Sequence, residues 1–309
     1  MNDSIYSFIS NSVGPDGLLP ADFDLPKKKE DDKPLFADGA LDGIQIYHMG
    51  FKVIEEPALA ELLEILRTAN SGEYDKAEKD LSGFFKEFRA IEIIDEVQNQ
   101  IIDHKEELTV QSMAEFAYRL ITGSSDTEVI KCGLIILELV DTSSDPELMN
   151  VIRTLGLSDE FTIFSVFVMR HWPDGQMEVL DLARKVHGWG RIHCVKYIEP
   201  VNDEITKWLL FNGIDNSVLH EYSALTVFNK IQVEDMLDSD ELKADEFSGI
   251  LKIVDSMLVE GPVQGISAVE DPLALLAKVL DVAVRFEPDE EDKKIIADIS
   301  DLKKRYAGG

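Results

Sequence analysis

Basic residues are scarce in this sequence. Its 309 residues include 30 lysines and arginines against 60 aspartates and glutamates, which gives a net charge of −30. Nucleic acids and anionic membranes are bound largely through basic side chains, so the composition predicts neither as a partner. The same acidic surplus would attract a basic protein and speed its association, although it also serves solubility.

Long apolar runs and cysteines are scarce as well. The longest apolar run, 161–169, is interrupted by Thr162 and Ser165, and a bilayer span needs ~20 residues. The first residues lack the basic and apolar regions of a secretory signal. Cys132 and Cys194 lie among apolar residues, where a free thiol usually behaves as a small core side chain. We therefore expect a cytoplasmic protein in a reducing compartment.

Proline is infrequent overall but concentrated near the N-terminus. Pro15, Pro20, Pro26 and Pro34 flank the charge run KKKEDDK and deny it a helical hydrogen-bond ladder. We predict that residues 1–56 form an extended, irregular N-terminal arm. Within it the segment 43–54, GIQIYHMGFKVI, alternates enough for a short strand or hairpin, and a helical turn is an equal alternative.

From Pro57 onward the apolar residues recur at helical spacing. Residues 57–309 are therefore predicted to be one helical domain, with Pro57 in a first helical turn. Residues 74–107 are consistent with one long helix or two abutting helices, with a break near Gly83.

Glycines recur at the ends of successive helical patterns, which predicts a helix–turn–helix unit repeated four times. The glycines, each expected to take the left-handed capping conformation, are Gly123, Gly156, Gly188 and Gly213. The apolar helices that follow them are predicted at 127–140, 159–169, 191–198 and 217–228.

This pattern resembles the HEAT and armadillo-like α-solenoids. The resemblance implies an all-α fold, an α-solenoid of stacked antiparallel helix pairs, with the clearest repeats over 109–230. Helices predicted over 243–306 would cap its C-terminal end. The repeat lengths vary, so an irregular helical bundle is the alternative.

One window of the sequence, 161–230, differs in composition from the rest. It holds all three tryptophans and four of the six histidines. It also holds seven basic and eight acidic residues, a net charge of −1, whereas the rest of the chain carries −29. Aromatic and arginine-rich patches with little net charge are typical of binding centres.

We take this window as the candidate partner-binding site of the solenoid, facing its concave side. The candidate residues are Arg170, His171, Trp172, Trp189, Arg191, His193, Asn212, His220 and Tyr222. The alternative is that the tryptophans fill the middle of the core, where a neutral stretch is normal.

The sequence contains no convincing catalytic, cofactor or metal motif. His187, His193 and Cys194 have poor spacing for zinc on a helix. Gly188 and Gly190 lack the third glycine and the βαβ context of a dinucleotide site. No phosphate loop and no nucleophile motif is present. We therefore predict no catalytic residue, no metal and no cofactor.

Two functional hypotheses follow. The first is a non-catalytic protein-binding repeat protein, in a specific version an acidic inhibitor or immunity-type protein that binds a basic partner through the central repeats. The second, implied by the resemblance, is an enzyme similar to the HEAT-like DNA glycosylases, with Trp172, Trp189, Asp174 and Arg191 supplying the residue types of their concave face. A structural subunit that forms homo-oligomers is a third option.

Overall fold

The structure is a computed structural model that describes residues 4–26, 35–51 and 53–308. Within these ranges it contains 17 α-helices and no strand. The helices are α1 Ile5–Ser12, α2 Ala40–Ile44, α3 Glu56–Asn70, α4 Tyr74–Phe84, α5 Ile94–Asp103, α6 Val110–Gly123, α7 Thr127–Leu137, α8 Pro146–Gly156, α9 Thr162–Met169, α10 Gly175–Ala183, α11 Trp189–Tyr197, α12 Asp203–Asn212, α13 Glu221–Lys230, α14 Val233–Asp238, α15 Ala244–Met257, α16 Pro272–Ala283 and α17 Glu290–Gly308.

The predicted all-α class is confirmed. The chain divides into two compact units, Met1–Cys194 and Val195–Gly309, and the division falls within α11. The predicted boundary at residue 56 stays a prediction. No helix in the described ranges combines the length and the apolar character that a bilayer span requires.

The N-terminal segment differs from the extended arm expected there. Residues 5–12 form α1, which packs against α6 and α8. Ser4 caps this helix by accepting a hydrogen bond from the Ser7 N–H, so a local capping signal outweighs the proline-rich surroundings. The described residues of the segment 43–54 form no strand: α2 runs directly into a π-helical turn, Gln45–Met49, so the helical alternative was the correct one. The KKKEDDK run and Pro34 lie outside the described residues.

The first unit is built around two helices that are buried on all sides. Every residue of α7 from Val129 to Leu137 is buried, and so is every residue of α9. A helix that is apolar around its whole circumference belongs in the interior of a protein. α7 packs against α5, α6 and α9, and α9 packs against α8 and α10.

Side chains cap several helices, among them α7, whose predicted start at residue 127 agrees with the structure. Asp145 and Asp126 each accept hydrogen bonds from two backbone N–H groups at the starts of α8 and α7. Asn202 and Asp271 cap α12 and α16 in the second unit. Residues 74–107 form two helices, and the first ends at Phe84, next to the expected break. These signals are local, which is why the sequence reveals them.

The second unit is centred on α15. This helix packs against α12, α13 and α17, and α16 packs against α14 and α17. Phe247 on α15 is buried and stacks on Phe286 with ring centroids 5.1 Å apart. The short helix α14 was not expected from the sequence. It begins after Gln232, which has a positive φ of 54°.

The glycines at the ends of the repeated helices were expected to adopt the left-handed capping conformation, and the structure differs from this expectation. Gly213 follows α12 in the right-handed conformation, with φ −66°, and neither Gly123 nor Gly156 is among the positive-φ glycines of the described chain. A β-carbon at Gly156 would crowd Leu182 and Ser165. The expected left-handed caps were therefore wrong, and at Gly156 the absence of a side chain serves close packing.

The close approach of Gly43 to the Trp189 ring can be tested by substitution of the glycine. A β-carbon there would overlap the indole ring of Trp189, whereas one at Gly83 in α4 would meet nothing within 4 Å. Gly43→Ala should lower the free energy of unfolding by about 1–3 kcal/mol through overpacking. Gly83→Ala, the matched control in the same unit, should raise it by about 0.5–1 kcal/mol because alanine is the better helix former. Urea denaturation measures both, and equal effects would contradict this packing.

Candidate functional site

The nine predicted binding residues divide between the two units and between core and surface. The second unit contains Asn212, His220 and Tyr222, and the first contains the other six. The buried members are Trp172, Trp189, Arg191, His193 and Tyr222. Arg170, His171 and His220 are exposed, and Asn212 is half-buried. In this structure the buried side chains offer almost no surface to a partner, and the other four do.

Arg170 and His171 share one carboxylate at the C-terminal end of α9. The Arg170 Nη2 atom lies 2.8 Å from Glu138 Oε1, and the His171 Nε2 atom lies 3.4 Å from the same oxygen. The Arg170 guanidinium also lies over the Phe167 ring, 5.2 Å from its centroid. Arg170 and Glu138 thus form a surface ion pair, and His171 lies beside it.

Trp172 is held by a specific hydrogen bond inside the first unit. Its indole N–H donates to Thr142 Oγ1 at 2.7 Å. The Arg153 guanidinium lies 5.1 Å from the indole centroid and binds Glu178 with two hydrogen bonds, of 2.8 and 2.6 Å. Trp172 thus has a satisfied donor and a cation over its ring, as a buried core tryptophan should.

Trp189 is covered by the N-terminal segment, and His193 is buried next to it. Gly43 lies directly against the Trp189 indole, and the Tyr47 ring lies 6.1 Å from it, centroid to centroid. His193 lies on the same helix, with its ring 6.1 Å from Trp189. This cover could not be predicted from the sequence, because the contact joins segments far apart in the chain.

The second-unit residues have separate surroundings. Tyr222 is buried, and burial raises the pKa of its hydroxyl. The Asn212 side-chain amide donates to the Trp208 carbonyl at 3.4 Å. His220 lines a cleft of 680 Å³ whose apolar floor includes Leu210 and Ile214.

The most unusual chemical group in the first unit is a buried lysine that sequence reasoning missed. Lys131 on α7 is fully buried, and its Nζ atom lies 2.7 Å from Asp42, 2.8 Å from Glu128 and 2.6 Å from Glu160. Arg89 also binds Asp42, at 2.6 Å. These five residues, the Lys131 cluster, connect the N-terminal segment with α7 and with the turn before α9.

Electrostatics keep Lys131 and Asp42 charged. Burial lowers the pKa of Lys131, but the attraction of Asp42, Glu128 and Glu160 outweighs it, so the pKa lies above its ordinary value. Burial raises the pKa of Asp42, and Lys131 together with Arg89 lowers it below its ordinary value. A lysine held protonated in this way cannot act as a base or a nucleophile. The cluster therefore acts as a clamp on the N-terminal segment.

Removal of the Lys131 ammonium should be costly. Lys131→Met takes away the ammonium group that Asp42, Glu128 and Glu160 share, although Asp42 keeps its ion pair with Arg89. We expect a loss of about 3–5 kcal/mol in the free energy of unfolding. Lys185→Met, which removes the partly exposed Lys185–Asp181 ion pair at 2.5 Å, is the control and should cost no more than about 0.5 kcal/mol. Similar midpoints of urea denaturation for the two variants would contradict the clamp.

A second group near the N-terminal segment is an acid with a shifted pKa. Asp159 accepts hydrogen bonds from the backbone N–H groups of Gly190 and Trp189 at the start of α11. Burial raises its pKa to about 7, an effect reinforced by Asp38 and Glu160 and opposed by the two N–H donors. An aspartate that loses its proton near neutrality makes this part of the fold sensitive to pH.

The sign of that sensitivity follows from linkage. Between about pH 4 and pH 7 the folded state keeps a proton on Asp159 that the unfolded chain releases. Stability should therefore fall as pH rises through this range, by up to about 1.4 kcal/mol per pH unit. The side chain of the Asp159→Asn variant cannot titrate. The free energy of unfolding of this variant minus that of the native chain should therefore increase steadily from pH 5 to pH 7.

Urea denaturation at several pH values between 5 and 8 measures this difference. Asp174→Asn, at an exposed position of the same unit, controls for the loss of one negative charge. If the curves of the native chain and Asp159→Asn run parallel over this range, the assignment to Asp159 is wrong.

Neither cysteine is poised for chemistry. Cys132 and Cys194 are buried and free. Burial raises the pKa of the Cys132 thiol to about 12 and also raises that of Cys194. Both thiols therefore stay protonated near neutrality. No group of three or more histidine, cysteine or acidic side chains suited to a metal ion occurs among the described residues.

The residues of the glycosylase hypothesis have dissimilar surroundings. Trp172 contacts Thr142 and Arg153, whereas Trp189 contacts the N-terminal segment. Arg191 is buried, and Asp174 is exposed just before α10.

Four open clefts of the described chain share an acidic character. One of them, the α3–α4 groove of 820 Å³, is lined by six acidic and three basic side chains. The Phe88 pocket, of 410 Å³, is lined by four glutamates and no basic residue that the structure describes. In the second unit, the cleft that contains His220 has four acidic side chains and one lysine. Acidic residues also outnumber basic ones in the cleft beside Asp298.

Comparison with known proteins gave no match. No protein-family model fits the chain, and no curated protein or solved structure is significantly similar to it.

Proposed function

We propose that this chain is a non-catalytic binding protein whose partner is a basic protein. The observation that carries the proposal is the acidic lining of all four clefts described above. Concave surfaces of one sign concentrate and steer partners of the opposite sign. An acidic inhibitor or immunity-type protein that blocks a basic target is the specific version that we favour.

Four features support a binding role over catalysis. Lys131 is held protonated by three carboxylates, and both cysteine thiols have raised pKa values. Arg191, which the glycosylase hypothesis would place in a groove, is buried. That hypothesis also needs a basic track for DNA, whereas each of these clefts carries an acidic excess.

The arrangement proposed for the central helices is HEAT-like stacking. In its favour, α6 pairs with α7 and α8 pairs with α9, and α7 also contacts α9 while α6 contacts α8. These are the contacts that two layered helix pairs would make. Because α7 and α9 are buried on all sides, the partner surface would lie on the outer helices and loops. The exposed Arg170 and His171 remain candidates for such a surface on the first unit, and the exposed His220 and half-buried Asn212 remain candidates for one on the second unit.

The proposed location is a reducing compartment such as the cytoplasm. The free thiols of Cys132 and Cys194 support this proposal, since disulfides are favoured in oxidising compartments.

The test identifies the proteins that bind the chain and measures how their affinity for it depends on salt concentration. The full chain is immobilised, proteins retained from the native host are identified, and each is purified and titrated against the chain. We expect a protein of strongly basic isoelectric point whose dissociation constant rises about tenfold or more between 50 and 300 mM salt, because salt screens exposed charges.

A labelled DNA duplex in the same titration is the control and should not bind at either salt concentration. Salt-sensitive binding of DNA, together with the absence of any basic protein partner, would overturn the proposal and favour the enzyme.

A further inference from the structure

Apolar side chains are exposed at unusual density just before α3. Met49, Phe51 and Val53 are 66%, 58% and 94% exposed. Three large apolar side chains within five residues, all open to solvent, are a typical sign of a surface that a partner covers. Val53 lies at the edge of the Phe88 pocket defined above.

The floor of the Phe88 pocket is apolar and held in place. Ile54, Pro57, Ala58 and Phe88 line it. Ile54 is buried, and the half-buried Phe88 ring stacks on Phe84 with centroids 4.7 Å apart. The pocket can therefore accept an aliphatic chain against an aromatic ring that is already ordered, with little loss of side-chain entropy.

The rim of the Phe88 pocket is entirely acidic among the described residues. It consists of Glu55, Glu61, Glu87 and Glu92. Glu92 accepts a hydrogen bond from the Arg89 N–H. The other three are exposed and make no ion pair with a described residue. A cation that reached the pocket would thus meet several carboxylates that need not give up another partner.

The pocket shares one lining residue, Glu61, with a second acidic surface. Glu61 also lines the α3–α4 groove, where Glu64, Asp75, Glu78 and Asp80 add further carboxylates. A chain that places one side chain in the pocket can therefore lay its neighbouring basic residues along the groove.

We infer that the Phe88 pocket receives a lysine or arginine side chain from a basic, partly apolar segment of the partner protein. The inference rests on the proposed function and specifies where that partner docks. The methylene stem of the incoming side chain would pack on Phe88 and Ile54, and its charge would lie among Glu55, Glu61 and Glu87. Apolar residues of the segment would cover Val53.

The test uses a fluorescein-labelled peptide of alternating arginine and leucine, with binding to the full chain followed by fluorescence anisotropy. Glu87→Lys reverses one charge of the rim at an exposed position and should raise the dissociation constant about tenfold. Phe88→Ala removes the aromatic floor and should raise it about fivefold. Glu287→Lys, an exposed charge reversal in the second unit, is the matched control and should change it less than about twofold.

Circular dichroism of each variant shows whether the fold is kept. The Glu87 side chain makes no hydrogen bond or ion pair with a described residue. Glu87→Lys should therefore keep the fold and preserve the test even if Phe88→Ala unfolds. An arginine–glycine peptide of equal length and charge should bind the native chain about fivefold more weakly, because it lacks the apolar component.

Different results would contradict the proposed function and the proposed docking site. If the native chain binds neither the arginine–leucine peptide nor any basic protein, the proposed function is wrong. If it binds the peptide but Glu87→Lys weakens binding no more than Glu287→Lys does, the docking site is wrong and the proposed function stands. Equal affinity for the arginine–glycine peptide would also overturn the docking site.

Discussion

The fold of the first unit depends on one buried ammonium group. Lys131 lies in the centre of the apolar helix α7, where an uncompensated charge could not be tolerated. Its three carboxylates come from three parts of the chain: Asp42 from the N-terminal segment, Glu128 from α7 and Glu160 from the turn before α9. Burial of this lysine is therefore compatible only with a folded state in which the N-terminal segment is in place.

Once that segment is fixed, the surroundings of the aromatic window follow. Asp42 brings Gly43 against Trp189, and the missing β-carbon at Gly43 lets the backbone approach the indole ring. Residues 189–195 of α11 are all buried. The neutral composition of the window 161–230 thus coincides in part with core helices, which was the alternative explanation for it. The acidic excess lies instead on the clefts, where charge costs little solvation.

How much of the fold and of the candidate site could be predicted from the sequence depends on whether the residues that form each feature are close together or far apart in the chain. Apolar periodicity is local, and it predicted the all-helical class and the start of α7 at residue 127 correctly. Capping residues such as Asp145 and Asn202 are local signals of the same kind. The Lys131 cluster could not be predicted, because Lys131 lies within an apolar helical pattern and its partner Asp42 is distant in sequence. The Phe88 pocket was missed for the same reason: Val53 and Phe88 belong to segments that only the fold brings together.

The placement of the three tryptophans gives each unit its own optical probe. Trp172 and Trp189 lie in the first unit and Trp208 in the second, and all three are less than a tenth exposed. Indole emission shifts to longer wavelength when the ring meets water. A chain that keeps only Trp208 would report the unfolding of the second unit alone, and one that keeps only Trp189 would report departure of the N-terminal segment. The cooperativity between the two halves of the molecule is thereby open to direct spectroscopic measurement.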